Sequence, residues 1–268
     1  MTSPTTATGA GPGKQPPGPA PAGGADPRKQ HRKQPPGPAP AGILDALGTV
    51  RDPELDEPIT SLGFVASYAI SPDGDAQVRL RLPTYFCAPN FAFLMVADAY
   101  DAVSALPGVR STEIVLEDHF ASDAINGGVA AHAGFAQSFD GEAVGELHEL
   151  RADFLRKAVM AGTDLVCRPL IAAGTDPSRL PGMVLGDLPV SRELGRLRQR
   201  RAELGLPAGD NAPLLIDPRT GAPVSGDAMP LHLRKARTTR ISIESNGSIC
   251  RGMLQYRYDT QGQGEEDQ

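Results

Sequence analysis

The sequence contains three cysteines, and one of them occupies a position where a thiol is chemically useful. Cys87 lies in the run 83–89, between an alternating segment typical of a strand and the start of a predicted helix. Backbone N–H groups and the helix dipole at such a loop stabilise a thiolate, the nucleophilic and metal-binding form of cysteine. Thr84 is close enough in sequence to donate a hydrogen bond to that sulfur. Spacing alone leaves open that Cys87, like Cys167 and Cys250, is a small buried apolar residue.

Two carboxylates, Asp52 and Glu54, flank Pro53 directly after a predicted helix. Side chains at such positions commonly cap a turn. Carboxylates are also hard ligands for iron, so closeness to Cys87 would give them a second role. The candidate binding residues are therefore Cys87, Thr84, Asp52 and Glu54, with Cys87 as the candidate metal ligand.

The histidines and glycines exclude several other kinds of site. His119, His132, His148 and His232 never recur at i, i+3 or i, i+4, and the sequence has no glycine-rich nucleotide loop. An enzyme with a cysteine nucleophile needs a base beside the thiol. His119 is the histidine nearest to Cys87 in sequence, but it lies beyond a predicted strand, in a predicted surface turn. We therefore expect no catalytic residues and a protein that is not an enzyme.

Hydrophobic periodicity predicts the elements that precede Cys87. Residues 43–50 carry apolar side chains at helical spacing. Residues 66–70 and 78–82 alternate between apolar and polar side chains on either side of a turn at 71–75. This pattern predicts a β-hairpin with one buried face, to which Tyr68 contributes.

The elements that follow Cys87 complete a small domain. Asn90 is a predicted N-cap for a helix that ends at residues 106–108, and residues 112–116 alternate as a third strand. The order helix, hairpin, helix, strand predicts a two-layer α/β domain over residues 43–118. The fold class is therefore α+β.

Residues 119–268 are predicted to form an extension of mixed helices and strands. A helix is predicted over 144–160 and a second one is predicted to begin at Ser191. Residues 214–216 and 240–244 have the alternation or apolar content of strands.

Four finer predictions concern side chains and turns of the same extension. Asp153 is predicted to pair with Lys157 at i, i+4, and residues 126–128 are predicted to form a turn. The pattern of residues 248–258 leaves helix and strand open. The arginines of residues 192–240 are predicted to cover solvated faces, with a docking patch for an acidic partner as the alternative.

Composition separates the first 42 residues from the remainder. They are rich in proline and glycine and carry a net charge of +4, whereas the other 226 residues carry −10. Such a segment buries too little apolar surface to offset its ordering entropy, which predicts a disordered tail over residues 1–42. The acidic body argues against nucleic-acid binding. We also expect no membrane partner and a cytoplasmic protein, because no apolar run reaches the length of a membrane helix or of a secretory signal.

Several runs together resemble a known family, the small metal-sulfur cluster assembly domain. That domain occurs in the mitotic-spindle-associated iron-sulfur assembly factor and in the phenylacetate-degradation D protein of bacteria. The resemblance rests on four runs in the family's order, residues 50–55, 62–65, 78–87 and 106–109. One difference is that Ala88 stands between Cys87 and Pro89, where the family commonly has proline directly after the cysteine.

The resemblance implies a role in iron-sulfur cluster assembly or delivery, with Cys87 as the reactive cysteine and labile iron or a cluster as the cargo. Residues 237–247 are similar to the tails of long bacterial members that accompany soluble di-iron monooxygenases. That similarity implies a client metalloenzyme of this type, together with iron-sulfur assembly proteins as partners. A cluster usually takes four ligands, so binding at Cys87 must bridge a homodimer, use a partner, or be labile. A metal-free adaptor or chaperone for a client oxygenase is the alternative function.

Overall fold

The described part of this computed structural model, residues 42–134, 138 and 144–259, contains a three-stranded sheet with its most buried strand in the centre. The strands are β1 (Val65–Ile70), β2 (Asp75–Arg81) and β3 (Ser111–Glu117). The predicted tail, apart from Gly42, lies outside the described residues.

The central strand β2 pairs differently with its two neighbours. It is antiparallel to β1 and parallel to β3, with Asp75 opposite Ser111 and Arg81 opposite Glu117. Parallel strands need a crossover, which α2 (Pro89–Ser104) provides. This β2–α2 connection contains Cys87. The α+β class predicted from the sequence is confirmed.

The predicted buried face of the hairpin is correct for β2 and wrong for most of β1. Val78 and Leu80 of β2 are buried, but Tyr68 of β1 is 40% exposed. β1 is an edge strand, and its register shifts between Val65 and Ser67. Such an irregularity re-aims the side chains of a strand.

Two short helices complete this half of the chain. α1 (Ile43–Leu47) buries its first and last residues, and α3 (Ser122–Ala130) follows β3. The turn predicted at residues 126–128 is wrong, because these residues belong to α3. The Asn126 side chain bonds both the N–H and the carbonyl of Leu116, at 2.9 and 3.1 Å, and so joins α3 to β3.

Three longer helices dominate the extension: α4 (Val144–Ala172), α5 (Arg192–Glu203) and α6 (Met229–Asp259). Short 3₁₀ turns at Pro177–Gly182 and Leu185–Asp187 connect α4 to α5. A second apolar core lies among these elements. It includes Val159, Cys167, Leu185, Leu197 and Leu214.

The strands predicted in the extension are both wrong. Residues 240–244 lie in the middle of α6, which also settles residues 248–258 as helix. Leu214, Leu215 and Ile216 are all buried instead of alternating, and single bridges such as Val184 to Pro213 replace a strand. Tertiary packing therefore overrides the local pattern at both places.

Side-chain predictions in the helices had mixed outcomes. Ser191 caps α5 by accepting the N–H of Leu194 at 3.1 Å, as predicted. Asp153 bonds Arg156 at 2.7 Å instead of Lys157, whose amine lies over the Phe154 ring.

The predicted solvated arginine faces are wrong for the end of α5. Arg200 is 4% exposed and Arg201 is fully buried. Arg201 donates to the carbonyls of Pro213 and Leu214, at 2.8 and 2.6 Å, so it holds the segment that lacks regular structure.

None of the helices within residues 42–134 and 144–259 combines the length and the apolar character that a bilayer crossing demands.

Candidate functional site around Cys87

The Cys87 loop joins the end of β2 to the start of α2. Ala88 is the N-cap of α2 and Pro89 is its first residue, so the predicted N-cap Asn90 is wrong. Proline is favoured at the first helical position, because its missing N–H is not needed there. A first apolar core lies between the sheet and the helices of this domain, and it includes Val78, Val96 and Ile114. The Cys87 side chain is half-buried against this core, and its thiol is not part of a disulfide.

Thr84 is positioned as the sequence predicted. Its Oγ1 lies 3.3 Å from the Cys87 Sγ, within hydrogen-bonding distance for sulfur. Either atom is able to donate in this pair. The hydroxyl therefore orients the thiol and is also able to stabilise a thiolate by donating to it.

His119 holds the backbone of the same loop, although the sequence predicted a surface turn for it. The imidazole is 3% exposed. Its Nδ1 accepts the N–H of Ala121 at 3.2 Å, so Nε2 carries the proton and donates to the Cys87 carbonyl at 2.7 Å. Burial is the main cause that lowers the pKa of His119, which favours this neutral form.

Asp52 primarily caps a turn. Its Oδ1 accepts the N–H groups of Glu54 and Leu55, at 2.9 and 2.8 Å. Burial nevertheless raises the pKa of Asp52 to about 6, and it outweighs these two hydrogen bonds. Glu54 receives a 3.4 Å hydrogen bond from Asn246 of α6.

Cys250 of α6 is a residue that sequence reasoning missed. It is half-buried against the same core as Cys87. Burial raises the pKa of the Cys250 thiol to about 11, and the negative charges of Asp52, of a Cys87 thiolate and of Glu54 add to the shift. The structure thus packs both cysteines against one apolar core, and Asn246, one turn before Cys250, bonds Glu54. The signal in the sequence was the helical spacing of Asn246, Cys250 and Leu254, which requires reading residues 248–258 as a helix.

Three exposed aromatic rings lie on the Cys87 loop or directly beside it. Tyr85, Phe86 and Phe120 are 47%, 77% and 49% exposed. Their ring centroids lie 5.0 to 6.3 Å apart, so they form one continuous aromatic patch. The N–H of Phe120 bonds the Tyr85 carbonyl at 3.1 Å, which fixes the two segments that carry the rings.

The side chains near Cys87 suit transient binding of iron or an iron-sulfur cluster better than permanent binding of a metal ion. Thiolates are good ligands for iron and iron-sulfur clusters. However, no three side chains among the histidines, cysteines, aspartates and glutamates of the described residues are grouped closely enough to hold a metal ion. Two thiols leave coordination positions for ligands from another molecule.

Comparisons with known proteins match less than a third of the chain. A family model described as iron-sulfur cluster assembly protein matches residues 40–116. An uncharacterized protein of Methanocaldococcus jannaschii is 30% identical over 84 residues, which are 31% of this chain and 86% of the archaeal protein.

Iron-sulfur cluster carrier proteins of Mycobacterium tuberculosis and Mycobacterium bovis are 36% identical over 75 residues. That match covers 28% of this chain and 19% of each carrier, so the chain spans about a fifth of their length. No solved structure matches the chain significantly.

Proposed function

Because the chain belongs to the iron-sulfur cluster assembly protein family, we propose that it binds labile iron or an iron-sulfur cluster at Cys87 and delivers it to a client protein. The observation that carries the proposal is the half-buried Cys87 thiol, held beside the Thr84 hydroxyl at the start of α2. A thiol in a structured loop is accessible to a cargo and pre-oriented for it.

A cluster that one chain coordinates incompletely is able to pass to another protein. A cluster has four positions for protein ligands, and the thiols near the loop fill fewer than four. The remaining positions are open to a donor protein, to a client, or to a second copy of this chain. Ligand exchange between two proteins is faster when neither of them encloses the cargo completely.

The aromatic patch of Tyr85, Phe86 and Phe120 supports a protein partner at the loop. Exposed aromatic side chains are enriched in protein interfaces. Two of these exposed rings lie on the Cys87 loop, and the third belongs to a residue that is hydrogen-bonded to it. We propose that iron-sulfur assembly proteins and the client metalloenzyme dock there. A soluble di-iron monooxygenase is the proposed client, and the support for it is the similarity of residues 237–247 described above.

We also propose that the protein is not an enzyme, and the hydrogen bonds of His119 support this. Both of its ring nitrogens bond the backbone, and Nε2 lies against the Cys87 carbonyl. The imidazole is therefore engaged in positioning the loop, and it is not free to take a proton from the thiol.

Anaerobic reconstitution with ferrous iron and sulfide tests the proposal. We expect the wild-type chain to retain iron after gel filtration and to show sulfur-to-iron charge-transfer absorption, and we expect Cys87→Ser to retain little of either. Cys167→Ala is the matched control, because that cysteine is 1% exposed in the second core. Equal iron retention by Cys87→Ser would refute the assignment of Cys87.

The alternative function, a metal-free adaptor for a client oxygenase, is favoured by one observation, the exposed aromatic patch. This adaptor function predicts that Phe86→Ala weakens capture of the client and leaves iron retention unchanged. It also predicts that client activation does not depend on iron retention. Client activation by Cys87→Ser at the wild-type level would favour the adaptor.

A further inference from the structure

We propose that Cys250 is the second thiol of the Cys87 site, so that one chain presents a pair of thiols to a soft metal ion or a cluster. Cys250 lies outside the residues that match the family, so the family relationship does not assign it a role. The inference deepens the proposed function and rests on it for the identity of the cargo.

One face of α6 docks on the domain that contains Cys87. Asn246 bonds Glu54 at 3.4 Å, Arg251 bonds Glu57 at 2.8 Å, and the Leu254 side chain is buried in the first core. Cys250 lies one helical turn after Asn246 and one turn before Leu254, so it lies on this docked face.

Farther along α6, a fourth anchor fixes the helix beside the Cys87 loop. The Arg257 guanidinium donates to the carbonyl of Leu82 at 3.1 Å and to the carbonyl of Asp118 at 2.7 Å. Leu82 follows β2 directly before the loop, and Asp118 precedes His119. The same helix therefore carries Cys250 and supports both segments that hold Cys87.

The pair of thiols also brings the number of cluster ligands in a homodimer to four. One thiol per chain gives two in a homodimer, whereas two per chain give the four ligands that a cluster usually takes. Cys167 cannot contribute, because it is buried in the second core.

Phenylarsine oxide tests the pair without iron. This trivalent arsenical condenses with two neighbouring thiols and releases water, with no change in oxidation state. Wild type and Cys167→Ala are expected to bind one equivalent that survives a challenge with excess glutathione. Cys87→Ser and Cys250→Ser are each expected to bind none, with thermal melts confirming that each variant is folded.

Retention of the arsenical by folded Cys250→Ser, or its absence from wild type, would overturn the proposal. Cadmium gives a second readout, because its thiolate charge-transfer absorption increases with the number of sulfur ligands. We expect Cys250→Ser to lose half of the absorption of wild type, and an unchanged spectrum would also overturn the pair. Failure of iron reconstitution in a protein that binds the arsenical would instead refute the proposed cargo alone.

Discussion

The loop around Cys87 depends on the protonation state of one histidine. Nδ1 of His119 is a hydrogen-bond acceptor and Nε2 is a donor, and burial lowers the pKa of the ring. Protonation would place a second N–H against the N–H of Ala121. The stability that His119 contributes is therefore present above its unfolded pKa of about 6.5 and is lost as the pH falls through the lower folded value.

His119→Asn separates this titration from the structural role of the residue. Asparagine retains an acceptor for the Ala121 N–H but does not titrate and does not reach Cys87. We expect the free energy of unfolding of the variant to be about 1 to 3 kcal/mol below that of wild type at neutral pH. This gap between the two proteins should narrow in acid. Urea unfolding at neutral pH and near pH 5 measures the gap. A gap independent of pH would contradict the assigned tautomer.

Asp52 titrates in the opposite sense. Burial raises its folded pKa to about 6, so its contribution to stability is most favourable below the unfolded pKa and declines as the pH rises through the folded value. Asp52→Asn retains an acceptor for the Glu54 and Leu55 N–H groups and removes the buried charge. We expect it to stabilise the protein by about 1 to 2 kcal/mol at neutral pH.

The matched measurement for Asp52→Asn is its melting temperature near pH 4, where wild type is also neutral at this position. The two proteins should then melt at nearly the same temperature. A variant that is less stable than wild type at neutral pH would show that the carboxylate is an essential structural partner.

At the scale of elements, Asp56 joins the loop after α1 to α5. Its carboxylate accepts Arg200 Nε at 2.6 Å and Arg196 Nη2 at 3.3 Å. Arg200 is 4% exposed, so the loss of its partner leaves a buried charge incompletely paired. These contacts connect residues that lie about 140 positions apart in the sequence.

Asp56→Asn tests the charge while preserving the backbone. Asp56 has a positive φ of 51°, which asparagine tolerates well. We expect a loss of about 2 to 3 kcal/mol in unfolding free energy, because Glu203 still pairs with Arg200. Asp210→Asn is the control, since Asp210 pairs with Arg198 at the surface and should cost less than about 1 kcal/mol.

Local patterns predicted the elements of residues 43–118 better than those of the extension. The alternation of β2 and the cap at Ser191 are determined by neighbours in sequence. Arg240 lies in a segment whose alternation predicts a strand, but it pairs with Asp164 of α4 and with Glu244. The position of α4 cannot be read from a local pattern, so neither α6 nor the packing of Cys250 against the first core was predictable from the alternation alone.

At the scale of the whole molecule, α6 links the two apolar cores. Met229 and Leu233 near its start pack on the second core, whereas Leu254 near its end is buried in the first. α6 also packs tightly on the sheet domain beside Gly63, where a Cβ would lie 3.2 Å from the Leu254 side chain. The extension therefore forms part of the environment of the Cys87 site.

Leu254→Ala is expected to weaken both the fold and the thiol pair. A cavity at this 7% exposed position should cost about 2 to 4 kcal/mol, and a loosened α6 should reduce binding of phenylarsine oxide. Met253→Ala is the matched control, because Met253 is 45% exposed on the same turn. If Leu254→Ala and Met253→Ala had equal melting temperatures, α6 would not be anchored through Leu254.

The length of α6 has a consequence for communication across the protein. Its 31 residues span about 46 Å and connect the second apolar core to the first. If a cargo draws Cys250 toward Cys87, as proposed above, the displacement also acts on the end of α6 that carries Leu233. By thermodynamic reciprocity, a partner that binds more tightly to one position of that end must change the affinity of the distant thiols by the same factor. In the proposed function, loading at the thiols and handover to a partner at the other end of α6 would then be coupled through this one helix.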